Sequence, residues 1–92
     1  MADTLSLSGQ ELSYPIGFDL RIIYILAQGA QIREDLVRIL AERDVAWTLM
    51  QDNAKEGATY GRFGVRLVMQ SREQMYATYE DLGRLAYVKA VI

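Results

Sequence analysis

Cysteine and histidine are both missing from the 92 residues. Without cysteine there is no disulfide and no thiolate metal site. Without histidine the chain lacks the commonest general base, the one side chain that ordinarily titrates near neutrality, and the commonest zinc ligand. An enzyme built here would have to work with Asp, Glu, Lys, Tyr, Ser or Thr, and the composition therefore leans away from catalysis. A long apolar run is missing too. The longest, Ile22 to Ala27, falls far short of the roughly 20 residues that a membrane span needs. The opening MADTLSLSGQEL has neither the basic stretch nor the apolar stretch of a signal peptide, so the expected compartment is the cytoplasm and no membrane partner is expected.

What is present suits one domain. Apolar residues make up 51% of the chain, enough for a core without covalent staples. The net charge is −2 and the pI is about 5.0, which disfavours a general nucleic-acid binder driven by phosphate neutralisation. Eight of the ten basic residues are Arg, so a local basic patch remains open.

Residues 1–13 are polar and small and read as a flexible N-terminal tail, leaving 14–92 as a single domain. Pro15 and Gly17 punctuate its start. Phe18 to Ala27 is rich in β-branched and aromatic residues and reads as a first strand. Leu20, Ile22, Tyr24 and Leu26 share one parity; Asp19, Arg21, Ile23 and Ile25 share the other. Gly29 breaks the strand. Ala30 to Arg43 follows as an amphipathic helix with Ile32, Leu36, Ile39 and Leu40 in one stripe. Glu34 with Arg38, and Arg38 with Glu42, have the spacing of helical ion pairs. Val45 to Met50 reads as a short second strand and Gln51 to Ala58 as a hairpin loop. From Tyr60 to Gln70, Phe63, Val65, Leu67 and Met69 alternate with polar or small residues, the pattern of a strand buried on one face. Ser71 and Gln74 have the spacing of a capping box ahead of Met75, Tyr79 and Leu82 at helical intervals. Val88, Ala90 and Ile92 then alternate as one face of a closing strand. The order β-α-β-β-α-β predicts an α+β fold: a two-layer ferredoxin-like sandwich with a four-stranded antiparallel sheet and both helices on one face.

Two segments carry a family resemblance. Tyr14-Pro15-Ile16-Gly17-Phe18-Asp19-Leu20-Arg21-Ile22-Ile23 is similar to an aromatic-Pro-x-x-Phe-x-Ile-Lys-Val-Ile opening. Tyr60 with its alternating strand, Ser71-Arg72-Glu73-Gln74 and the closing Val88-Lys89-Ala90-Val91-Ile92 is similar to the C-terminal half of the same family. The chain resembles the YbeD-like family, small bacterial proteins of uncharacterised function. Tyr24 stands where that family usually has Gly, and Glu42-Arg43-Asp44 replaces a His-Ala-Pro run. The resemblance implies a ferredoxin-like fold similar to ACT-type regulatory domains, and an association with lipoate metabolism in some bacteria.

Candidate chemistry is sparse. Glu34-Asp35, Glu42 with Asp44, and Glu80-Asp81 are paired carboxylates, but Glu80 has Arg84 four residues on, and a solvated face laced with ion pairs explains them. Asp52-Asn53 with Glu56 lacks the spacing of a calcium loop. No metal, no cofactor and no catalytic residue is assigned. Ile23-Tyr24-Ile25 and Gly61-Arg62-Phe63-Gly64-Val65 faintly resemble the strand motifs of an RNA-recognition module, whose aromatics stack bases. Phe63, however, shares its parity with Val65, Leu67 and Met69 and so belongs under the helices. Gly29 occupies the strand–helix junction where ACT-type domains bind small effectors, although a plain turn glycine accounts for it. The best candidate is the open face of the sheet, with Arg21, Ile23, Ile25, Arg62, Arg66, Val68, Lys89 and Val91 pointing away from the helices. Arg mixed with apolar residues is interface composition. The expected function is a non-enzymatic regulatory or protein-interaction module that binds a protein partner or a second copy of itself through that face. A single-stranded RNA binder using the same face is the alternative.

Overall fold

The alternation from Tyr60 onward sets the centre of the fold. In the computed structural model, which describes residues 13–92, this segment is strand β3 (Tyr60–Met69) and pairs along its whole length with β1 (Ile16–Ile25). The two strands run antiparallel in register from Ile16 opposite Met69 to Ile25 opposite Tyr60. Helix α1 (Ile32–Glu42), strand β2 (Ala46–Asn53), helix α2 (Arg72–Gly83) and strand β4 (Val88–Val91) complete the chain. The sheet order is β2-β3-β1-β4 and all three pairings are antiparallel. The predicted ferredoxin-like sandwich is the fold observed. The N-terminal tail expectation lies outside the described residues apart from Ser13.

Both helices cover the same sheet face. Leu20, Ile22 and Tyr24 from β1 and Phe63, Val65, Leu67 and Met69 from β3 are buried against Ile32, Leu36, Ile39 and Leu40 of α1 and Met75 and Leu82 of α2. Phe63 is 1% exposed, so it is a core residue and not a base-stacking platform. Thr78, also buried, donates its hydroxyl to the Gln74 carbonyl at 2.8 Å and so enters the core without an unpaired polar atom.

The elements differ from the sequence reading in four main places. The first strand begins at Ile16 and closes at Ile25, because a turn in which Gln28 N–H donates to the Ile25 carbonyl removes Leu26 and Ala27. The first helix begins two residues late, at Ile32, whose N–H still reaches back to Gly29. Strand β2 runs on to Asn53, since β3 offers it extended partners as far as Phe63 and Arg62. The fourth difference concerns the last strand. Ile22 lies opposite Val91, Ile23 opposite Ala90 and Tyr24 opposite Val88, so a bulge at Lys89 breaks the alternation. Val88 and Val91 therefore both pack against the core, and the expectation that Val91 points away from the helices is corrected. Ala90 takes the outward position, and Ile92 continues the ladder by exchanging backbone hydrogen bonds with Arg21 at 3.0 and 2.8 Å.

The cap of α2 forms from the residues that predicted it, with one change. Gln74 N–H donates to Ser71 Oγ at 3.0 Å. The Gln74 side chain accepts from the N–H of Gln70, one residue before the cap, and donates through Nε2 to the carbonyls of Arg43 and Asp44. It thereby fastens the start of α2 to the turn after α1, where Asp44 adopts a left-handed φ of 56°. Arg43 donates to Asp81 at 2.7 Å across the same two helices. On α1, Arg38 pairs with Asp35 and Glu42, so Asp35 takes the place expected of Glu34.

Truncating Phe63 to Ala should cost about 3–5 kcal/mol, as deletion of a large buried ring does. Ser71→Ala should cost about 1 kcal/mol through loss of its cap bond. Urea melts read both; a near-zero change for Phe63→Ala would mean that the faces of β3 are reversed.

Candidate functional site

Register decides what the uncovered face presents. In an antiparallel ladder directly opposed residues share a face, so the outward residues of β1 and β3 can be read in rows and continued onto β2. One row is Asp19, Arg66 and Leu49; the next is Arg21, Gly64 and Gln51; the third is Ile23, Arg62 and Asn53. Gly64 stands at the centre of this three-by-three grid with no side chain of its own. The result is a hollow of about 220 Å³ lined by Asp19, Arg21, Gln51, Arg62 and Arg66 among others. A second hollow adjoins it at the hairpin end and shares Asn53 and Arg62, with Ile23 and Tyr60 on its wall.

The structure brings together most of the predicted face. Arg21, Ile23, Ile25, Arg62, Arg66 and Val68 all lie on it, with the three arginines exposed and the three apolar residues partly exposed. Lys89 is exposed in the bulge, without a partner residue on β1. Val91 is on the other side. The sequence reading missed Leu49, Tyr60 and Ile92, which are 49%, 51% and 68% exposed and follow the same outward parity. It missed Gln51 and Asn53 by assigning them to a loop; the alternation Leu49, Gln51, Asn53 was the available signal.

The cations are not equivalent. Arg66 donates to Asp19 through Nε at 2.8 Å and through Nη2 at 3.3 Å, a two-pronged pair that holds the Asp19 carboxyl below its usual range. Arg66 is thus engaged within the molecule. Arg21 contributes only a longer-range attraction to Asp19, and Arg62 has no ion-pair partner among the described residues. Around the hollow, these two are the cations left for a ligand. In the acidic cluster at the end of α2, Glu80 pairs with Arg84 at 3.5 Å and Asp81 with Arg43 and Arg84. Asp35 also accepts the Tyr87 hydroxyl at 2.5 Å.

The junction at Gly29 is packed rather than open. The Tyr24 ring lies between two glycines: a Cβ at Gly29 would meet it at 2.3 Å and a Cβ at Gly61 at 2.6 Å. Tyr24 Oη donates to Asp52 at 2.9 Å, and its ring meets Tyr87 edge-on at 6.5 Å. Gly29 therefore serves the packing of Tyr24. Burial, and then the Asp52 hydrogen bond, push the Tyr24 phenol up to about 12.

Comparison with known proteins agrees with this architecture. A family model described as "Protein of unknown function (DUF493)" matches residues 9–92. No curated protein matches the sequence. Among solved structures, the C-terminal domain of the MgtC protein from Mycobacterium tuberculosis is similar at a TM-score of 0.71 and 15% identity, with 90% of this chain and 89% of that one covered. The ACT domain of GTP pyrophosphokinase from Chlorobium tepidum is similar at 0.68 and 13%, covering 85% of this chain and 96% of that one. Protein HP0495 from Helicobacter pylori is similar at 0.68 and 16%, covering 88% and 85%. At these identities the likeness shows the fold alone.

The Tyr24 phenol is more basic when folded than its ordinary value of 10.0. Its contribution to stability should therefore be complete below pH 10 and lost as pH rises from about 10 to about 12. Tyr24→Phe should lower stability at pH 8 and flatten that alkaline loss. Urea melts at pH 8, 10 and 11 measure this; parallel losses in both proteins would contradict it.

Proposed function

This chain belongs to the DUF493 family, the YbeD family of proteins of unknown function, and from that membership and its sheet geometry we propose a small regulatory module that acts by binding, not catalysis. The ACT domain of GTP pyrophosphokinase shares its architecture, which supports a regulatory role by analogy of fold; the site must supply the rest. The observation that carries the reading is the uncovered sheet face. A two-layer domain leaves one face in water, and here that face alternates Ile23, Ile25, Val68, Leu49 and Tyr60 with Arg21 and Arg62. Such a mixture of apolar residues and Arg is what protein interfaces are made of. We take the compartment to be the cytoplasm.

The simplest occupant is a second copy of the chain. A two-fold contact needs a self-complementary patch, and apolar side chains meet that condition by themselves. Covering Leu49, Tyr60 and Ile92, each about half exposed or more, would stabilise an assembly by about 25 cal/mol per Å² of apolar area before association costs.

Introducing Ile23→Glu and Val68→Glu together should leave the fold intact, because neither residue belongs to the core cluster. Light scattering over a concentration series should show wild-type mass rising above that of one chain and the double variant remaining at one. Superimposed mass profiles would remove self-association through this face.

A further inference from the structure

Glycine is a poor choice for the middle of a central strand, where β-branched residues fit better. At Gly64 neither the backbone nor the packing asks for it. The only described glycine with a positive φ is Gly57, in the hairpin loop. A Cβ at Gly64 would meet Gln51 O at 3.8 Å and Leu20 O at 4.0 Å, ordinary contacts with room to spare. Gly29 and Gly61 differ, because a Cβ there would enter the Tyr24 ring. What Gly64 does is keep the centre of the grid empty.

We propose that this hollow is a binding site for a small doubly charged oxyanion, a phosphate monoester or a dicarboxylate. This rests on the reading of the open face as the binding face and names its ligand class. Arg21 lies directly across from Gly64, and Arg62 and Arg66 lie two residues to either side of it along β3. Against these three cations stands one carboxylate, Asp19, so the rim carries a net charge of +2 on a chain whose net charge is −2. Asp19 is clamped by Arg66 and hydrogen-bonds neither of the other two guanidiniums, drawing Arg21 only by a longer-range attraction. Guanidinium forks suit phosphate and carboxylate oxygens because they donate two parallel N–H groups. Gln51 and Asn53 bring amide donors to the β2 side, and Leu49 gives a short apolar wall. A hollow of about 220 Å³ fits a metabolite-sized anion.

The anion would also ease association. Two copies meeting through this face bring both pairs of Arg21 and Arg62 together, and bound anions remove the repulsion between them.

The test is a ¹⁵N–¹H correlation titration of the full chain with inorganic phosphate and, separately, with succinate. Sodium chloride holds the ionic strength constant. Wild type should show saturable shifts centred on the amides of Arg21, Gln51, Arg62 and Gly64, and the tighter of the two probes identifies the source of the oxyanion. Arg62→Gln should weaken binding about tenfold, the worth of a lost charge-assisted bond, with an unchanged melting temperature. Gly64→Val should abolish the shifts while melting at the same temperature or higher. Linear, unsaturable shifts spread over all arginines would overturn the proposal, as would variants that bind like wild type. Hexauridylate shifting the same amides at concentrations where neither small anion does would also overturn it, in favour of single-stranded RNA. Self-association is read separately by light scattering, so a face that associates but binds no anion removes this inference alone.

Discussion

The ladder between Ile16–Ile25 and Tyr60–Met69 is the constraint on which the rest of this molecule depends. Side chains alternate faces with a period of two, so a slip of one residue would exchange every buried group for an exposed one. The observed register places Leu20, Ile22 and Tyr24 on the same side as Val65, Phe63 and Gly61. That face is covered by the two helices. The same register sets Arg21, Ile23, Arg62 and Gly64 together on the other face. Core and candidate site are therefore two consequences of one pairing, and neither can be altered in register without the other.

Several contacts outside the ladder hold that pairing in place. Tyr24 is wedged between Gly29 and Gly61 and reaches the edge strand through Asp52, so one side chain ties three elements together. Gln74 joins the start of α2 to the turn after α1, and Arg43 with Asp81 ties the same helices further along. The bulge at Lys89 lets the short last strand pack both Val88 and Val91 against the core. These pins brace the sheet from its helical side, and the ligand proposed for the grid around Gly64 would gain from a preorganised site.

Much of this could be read from the residues. The unbroken alternation of Phe63, Val65, Leu67 and Met69 and the helical stripe of Ile32, Leu36, Ile39 and Leu40 declare their faces, because burial is their only physical account. Ser71 declares the second helix by its cap. The bulge was not readable: Val88, Ala90 and Ile92 alternate without a break, and only pairing with β1 shows that Lys89 is an extra residue. This is why Val91 was misplaced. The Arg66–Asp19 pair was not readable either, because the two residues are 47 apart in the chain and adjacent only across the ladder. Gln51 and Asn53 were missed because polar residues near a hairpin look like a loop until the neighbouring strand supplies their partners. The hollow belongs to the same class, since a glycine says nothing about the eight residues that surround it in space.

Register thus leaves one sheet face buried by the helices and the other uncovered, the face proposed to bind. Methyl relaxation in the presence of a soluble gadolinium chelate, followed over a dilution series, tests it most directly. At low protein concentration the account predicts strong broadening of the Ile23, Ile25, Leu49 and Val68 methyls and little of Ile22, Val65 and Leu67; raising the concentration should protect the first group. Broadening of both groups alike, or a first group indifferent to concentration, would contradict it.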